Sequence, residues 1–419
     1  MNRSEVMNLT DRKPTDRKGF AVRVPFRTRL DRVNTDGKER GRERGKGLLA
    51  VALLLVLALA AALLVRQWRN HGYFAGVGTR APRILYLSWD EQNHTQIFIT
   101  DLSGKAPAQL TQAASDVLNF ALSPDGSTIA YAAREDGNNT ALWLIDSNGG
   151  NRRQLLACPQ AICSELIWEP GGGRLIYERR DASNGEEPPG QPRLWWLYVH
   201  TGETVTVSEN AEALTFGASI SSDGQWLSYV SPIDEGIQIY NFRDGRHFLI
   251  PSQINTPAVW NPQGSTLLTS DLDLIVSHGS NDSDHLEHTH AYNQAIHLFL
   301  TQANSQERKS LSQMANVDDG TPAWSPDGEW IAFGRKIIRT PSGRQLWLVR
   351  TDGGDERALT NDLNIHHGSP VWSPDGRSLL FQRLPLSEPG AVPGIWLLEV
   401  ASGNTREIVT HGIFPVWLP

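Results

Sequence analysis

PAWSPDGEWIAF (Pro322 to Phe333) and PVWSPDGRSLLF (Pro370 to Phe381) are two copies of one pattern, and that pattern decides the fold. In Ser325-Pro326-Asp327-Gly328, Pro fixes φ at the second position of a tight turn. Asp bonds its own backbone, and Gly accepts the left-handed conformation. Such a turn joins two antiparallel strands, with Trp324 on the first and the apolar run from Trp330 to Phe333 on the second. Looser copies are ALSPDGSTIAY (Ala121 to Tyr131), IWEPGGGRLIY (Ile167 to Tyr177), SISSDGQWLSY (Ser219 to Tyr229) and VWNPQGSTLLT (Val259 to Thr269). The marker position reads Leu122, Trp168, Ile220, Trp260, Trp324, Trp372 and finally Trp417, at spacings of 46, 52, 40, 64, 48 and 45 residues. One spacing stands out, and it marks an insertion.

Outward from each turn, a third strand follows (Leu142 to Leu144, Leu346 to Leu348, Ile395 to Leu397), then a glycine turn and a short fourth strand such as Arg357 to Thr360. Four antiparallel strands per repeat of this length make a propeller blade. Residues 83–112 supply strands two to four of a blade that lacks its first strand, and Phe414 to Trp417 supply the missing one. The expectation is an all-β, seven-bladed propeller over residues 81–419, closed by its C-terminal strand. An open array and a six-bladed ring with one decayed repeat are the alternatives. Strict repeat spacing assigns the marker Trp side chains to the core rather than to carbohydrate stacking.

Tandem WSPDG turns followed by an apolar strand resemble the repeat of the TolB-type (WD-like) propeller family, over roughly residues 81–419. TolB itself is soluble, six-bladed and preceded by an α/β domain, so the resemblance implies the repeat architecture and not TolB's partners. The same repeat occurs in propellers of prolyl oligopeptidase relatives, which add an α/β-hydrolase domain. No G-x-S-x-G nucleophile elbow stands in this sequence, nor any phosphate-cradling loop.

Ahead of the repeats lies a different kind of chain. Residues 1–47 hold 14 Lys/Arg and 7 Asp/Glu, whereas residues 48–419 hold 25 and 39. An acidic main domain argues against a nucleic-acid partner. Leu48 to Val65 is an 18-residue run without a polar side chain, long enough to span a bilayer core as one helix. Six Lys/Arg in residues 32–46 keep its amino-terminal side in the cytoplasm, and a leader this long disfavours a cleaved signal peptide. The organisation expected is a basic cytoplasmic arm (1–47), a signal anchor (48–65), a linker (66–80) and an extracytoplasmic propeller, monomeric, in the periplasm or at the cell surface. Cys158 and Cys163 then sit in an oxidising compartment and are expected as a local disulfide, with two free thiols as the alternative.

Propeller geometry places the turns between strands one and two, and three and four, on one face. In this sequence they are uniformly tight. The opposite face receives the long connections, among them residues 178–193, 270–294 and 383–394, and is therefore the expected binding surface. His278, His285, His288 and His290 lie in the insertion; His366, His367 and His411 lie on the same face. Imidazole and carboxylate are ligands for zinc, manganese or iron, so His285, His288, His290, His366, His367 and His411 form a candidate divalent-metal set, although HxxH and HxH are not a specific signature. Without that metal no cofactor is expected. Asp318 and Asp319 are candidates for partner contact. The leading functional expectation is a non-catalytic scaffold for a protein or glycan of the cell envelope. The alternative is a metal-dependent enzyme, because seven-bladed TolB-like propellers include oligogalacturonate lyases that hold a metal with histidines.

Overall fold

A computed structural model describes residues 82–418 apart from positions 138, 183–189, 211, 277–291 and 313. The chain divides into two units, Met1–Gly76 and Val77–Pro419. The expected anchor, Leu48 to Val65, lies outside the described residues with the basic arm and the linker. Among the described residues no helix is long and apolar enough to cross a membrane.

The second unit is built on 28 strands, and among the described residues its one helical feature is a 3-10 turn at Pro232–Asp234. Successive strands pair antiparallel in chain order, as the tight turns require. The second sheet, for example, runs Val117–Leu122, Thr128–Arg134, Thr140–Asp146, Arg153–Cys158. The first sheet is built from both ends of the unit. Ile413–Leu418 pairs with Arg83–Trp89 in the register Ile84 to Trp417 and Leu85 to Val416, and Thr95–Asp101 and Ala108–Gln109 follow. A late strand thus completes the earliest sheet.

The expectation of seven separate four-stranded blades is corrected. Five discrete four-stranded sheets form, and the repeats from Val259 to Ala358 merge into a single eight-stranded sheet. Strand length is the physical cause. Thr266–Val276 and Tyr292–Gln302 are 11 residues each, longer than the other strands, so their hairpin overshoots the blade. Ile296 then pairs in parallel with Asp318 of the neighbouring first strand, Val317–Trp324.

Apolar clusters fill the gaps between neighbouring units. Leu142 and Leu144 meet Cys163 and Tyr177; Ile176 and Trp196 meet Ala218 and Leu227; Ala332 and Leu348 meet Trp372 and Phe381. Leu380 and Ile395 meet Ile84 and Trp417, which joins the last repeat to the first and closes the ring. The marker tryptophans sit in these gaps, and each indole N–H has the same partner. Nε1 of Trp168, Trp260, Trp324, Trp372 and Trp417 donates to the backbone oxygen of Ala121, Ser219, Val259, Ala323 and Val371 respectively, at 3.0 to 3.3 Å. Each acceptor is the residue just before the marker of the preceding repeat. The marker Trp therefore buries a large ring and satisfies its one polar atom across the gap, which Leu122 and Ile220 cannot do.

Candidate functional site: the face of long connections

The two ends of the propeller differ in construction. Turns between first and second strands are five residues long in every described case, as at Ser325 to Glu329 and Ser373 to Arg377. They are closed by their own groups. Ser373 Oγ donates to Asp375 Oδ1 at 2.6 Å and accepts from the Ser378 N–H at 2.9 Å, while Asp375 Oδ1 accepts the Arg377 N–H at 3.1 Å. Ser123, Ser221 and Ser325 repeat the arrangement. In the first copy, the hydrogen bonds from Ser123 and Ser127 bring the Asp125 carboxyl down to about 2. Polar groups consumed in this way are tied within each turn, and clefts open between neighbouring turns, one of about 610 Å³ beside Asp327, Arg357 and Asp375.

At the opposite end the first strands enter, and they are bulged. Their pairing slips between Ser164 and Ile167, Phe216 and Ser219, Gly320 and Ala323, and Gly368 and Val371. Glu165, Gly217, Thr321, Ser369 and Phe414 occupy the same repeat position, three residues before the marker, and all have φ between 48° and 60°. A bulge leaves one residue of the strand unpaired and re-aims its side chain. For β-branched Thr321 at φ 48° that backbone is strained. Neighbouring first strands touch one another in succession, so these residues line the axis of the ring. Glu165, Thr321 and Phe414 are exposed there.

The candidate residues that the structure describes, His366, His367 and His411, do not gather at one point. His366 and His367 are consecutive in the strand Ile365–Trp372 and so point to opposite sides of it. His367 is buried, its ring 5.6 Å from that of Phe381, and its Nδ1 has no partner. Burial, with the Arg383 charge second, pushes its imidazole down to about 4. His366 is also lowered, by burial and then by Arg344 and Lys336. His411 is exposed, and its backbone oxygen accepts the Ser88 hydroxyl at 2.7 Å. His285, His288 and His290 lie outside the described residues. Among the described residues no three His, Cys, Asp or Glu side chains gather at one point where a metal ion could sit.

Asp319, expected at a partner surface, is fully buried. Its carboxylate takes a two-pronged ion pair from Arg335, at 2.6 and 2.7 Å, and the Ser312 hydroxyl at 2.6 Å. Arg335 also reaches Glu356 at 2.7 Å, lying over the Trp347 ring at 4.6 Å. Asp318 pairs with Arg344 at 2.8 Å and stays partly exposed. The acidic pair thus locks the junction inside the eight-stranded sheet. Arg335 went unnoticed in the sequence, although strand alternation puts it on the face of Ile331 and Phe333, both buried. Glu178, on the strand Arg174–Asp181, was missed as well. It is buried beside the bulge at Glu165, paired with Arg180 at 2.7 Å, and burial pushes its carboxyl above the ordinary range. Cys158 and Cys163 form a disulfide with Cα atoms 6.3 Å apart. It ties the last strand of one sheet to the first strand of the next on this same end.

Fold and geometry together define the class: a β-propeller with one plain and one elaborated face. No family model matches the chain. It is 30% identical over 123 residues to the uncharacterized protein YidR of Escherichia coli (strain K12), covering 28% of this chain and 25% of that protein. It is 25% identical over 271 residues to the uncharacterized peptidase YuxL of Bacillus subtilis (strain 168), covering 64% and 29%. The chain therefore matches less than a third of the length of either curated relative. Among solved structures, it is similar to a prolyl endopeptidase (TM-score 0.56, 11% identity, 80% of this chain, 49% of the other). It is similar also to a puromycin hydrolase (TM-score 0.56, 13% identity, 83% and 55%). TolB from Acinetobacter baumannii matches with a TM-score of 0.47 at 14% identity over 81% of this chain and 67% of TolB. These likenesses are of fold alone.

Proposed function

We propose that the chain is a membrane-tethered, extracytoplasmic propeller whose elaborated face binds a protein or ligand of the cell envelope. The observation that carries this reading is the asymmetry of the two ends. One end consists of short turns whose Ser and Asp side chains close on their own backbone; the other combines the long connections with bulged strands that leave Glu165, Thr321 and Phe414 exposed. Binding residues are favoured on loops held by a rigid scaffold. The Cys158–Cys163 disulfide supports an oxidising compartment, and the apolar run at residues 48–65 supports the tether.

The test is site-specific photo-crosslinking of the full chain in its native membrane. A photoreactive side chain at Ile233 or Ser88, on the elaborated end, should give a discrete crosslinked product. The same group at Ser127 or Gly376, in the plain turns, should give none. Equal products from both ends, or products from the plain end alone, would remove the basis of the reading.

A further inference from the structure

One repeat position carries an arginine whose carboxylate is replaced in another copy. Arg335 stands eleven residues after its marker, Trp324, and directly opposite Asp319, which stands five residues before it. There the carboxylate closes on the guanidinium through two hydrogen bonds. Arg179 and Cys163 occupy the same two positions around Trp168, again directly opposite each other. A disulfide-bonded cysteine thus stands where the other copy has its aspartate. On its other side Arg335 faces the neutral Gln345, whereas Arg179 faces a second guanidinium, that of Arg193.

Like charges directly opposite on adjacent strands repel unless an anion compensates them. The carboxylates paired with these two arginines are loosely held. Asp181 stands 3.8 Å from Arg179, too far for a hydrogen bond, and Glu212 reaches Arg193 at 2.8 Å. Their side chains are 62% and 78% exposed, and ion pairs so exposed to water are weak. Of the other acidic groups nearby, Glu178 lies on the opposite face of the sheet with Arg180, and Glu165 is exposed at the bulge. Nε of Arg193 is buried without an acceptor, as is Nε1 of Trp195, two residues on along the same face. The row is short of acceptors. Both guanidiniums stay partly exposed, at the ends of the strands Arg174–Asp181 and Arg193–Tyr198 that flank a long connection of the elaborated face.

We infer that Arg179 and Arg193 together bind an oxyanion of the ligand, a carboxylate or a phosphate, in the role that Asp319 plays beside Arg335. The inference rests on the elaborated face being the binding face and names the chemical group that this face recognises. Arginine pairs suit such groups because the guanidinium fork matches their oxygens. Glu212, already on Arg193, competes with the incoming anion and is displaced by it. The experiment is thermal unfolding of the full chain in detergent with sodium acetate, inorganic phosphate or chloride at one ionic strength. Acetate or phosphate at about 100 mM should raise the midpoint by about 2 °C over chloride. That rise should vanish in Arg179→Gln and in Arg193→Gln, and should grow in Glu212→Gln, which removes the internal competitor. A variant that merely weakened the fold would lower the midpoint in all three salts alike and keep the difference between them. The anion giving the larger rise identifies the group. Equal midpoints in all three salts, or a rise that survives both arginine variants, overturns the inference. The connection between the two strands carries Glu186 and Glu187. A rise that appears only in Glu186→Gln/Glu187→Gln means that the chain's own carboxylates serve the pair, and it overturns the inference as well. Crosslinking at Ile233 or Ser88 that succeeds while neither anion acts leaves the broader reading standing and removes this one.

Discussion

His367 shows how a single residue's meaning depends on what the strand packs against. Written as His366-His367 it reads as a ligand pair; in the fold its ring lies buried against Phe381 with Arg383 close by. Its folded pKa of about 4 is below the ordinary histidine value of 6.5. The unfolded chain therefore binds the proton more readily than the folded one. The stabilisation from keeping this ring neutral is fully present above pH 6.5 and is lost as the pH falls toward 4, with a ceiling on the order of 3 kcal/mol. Urea unfolding of the parent and of His367→Gln at pH 7.5 and pH 4.5 checks this: the stability gap between the two proteins should shift toward the variant by about 2 kcal/mol at the lower pH. At the same scale, Pro322, Pro370 and Pro415 follow the left-handed Thr321, Ser369 and Phe414. A bulge has an unpaired N–H to dispense with, and Pro lacks one, so the repeated Pro is explained by the distortion beside it.

At the scale of elements, the joint inside the eight-stranded sheet is the most polar of the packed regions described. Arg335 and Asp319 are both buried, held on opposite strands directly across from each other. Removing one partner leaves a charge without compensation, whereas removing both replaces the pair with apolar surface. Arg335→Met should cost about 3–5 kcal/mol in chemical denaturation. Arg335→Met combined with Asp319→Leu should recover part of that loss, since the Ser312 hydroxyl and the partly exposed Glu356 carboxylate then need new partners. The overshooting hairpin at Thr266–Val276 and Tyr292–Gln302 makes the same region the widest sheet among the described residues. Nothing in the spacing of 64 residues distinguishes a longer hairpin from a longer loop, because both simply add residues between two markers.

For the whole molecule, closure is the decisive contact. Ile413–Leu418 supplies the inner strand of the first sheet, and Trp417 and Leu418 bury themselves on opposite sides of it, in the clusters toward the last and second sheets. Truncation after Gly412 should expose the edge of Arg83–Trp89 and two apolar faces together. The expected result is loss of a single cooperative unfolding transition and concentration-dependent association, checked by calorimetry and light scattering. Ring closure was legible in the chain ends themselves, since the missing first strand and the surplus last one carry matching patterns. Sequence alone determined the repeat, the turns, the marker Trp and the division into a plain and an elaborated end. Those features rest on local chemistry: φ preferences at Pro and Gly, alternation along a strand, and the length of a connection. Tertiary structure alone decided that Asp319 is buried, that His366 and His367 face opposite sides of their strand and that two repeats fuse into one sheet. Each of those depends on register and on the neighbour across a gap, and a charge or an imidazole has no fixed role until that neighbour is in place.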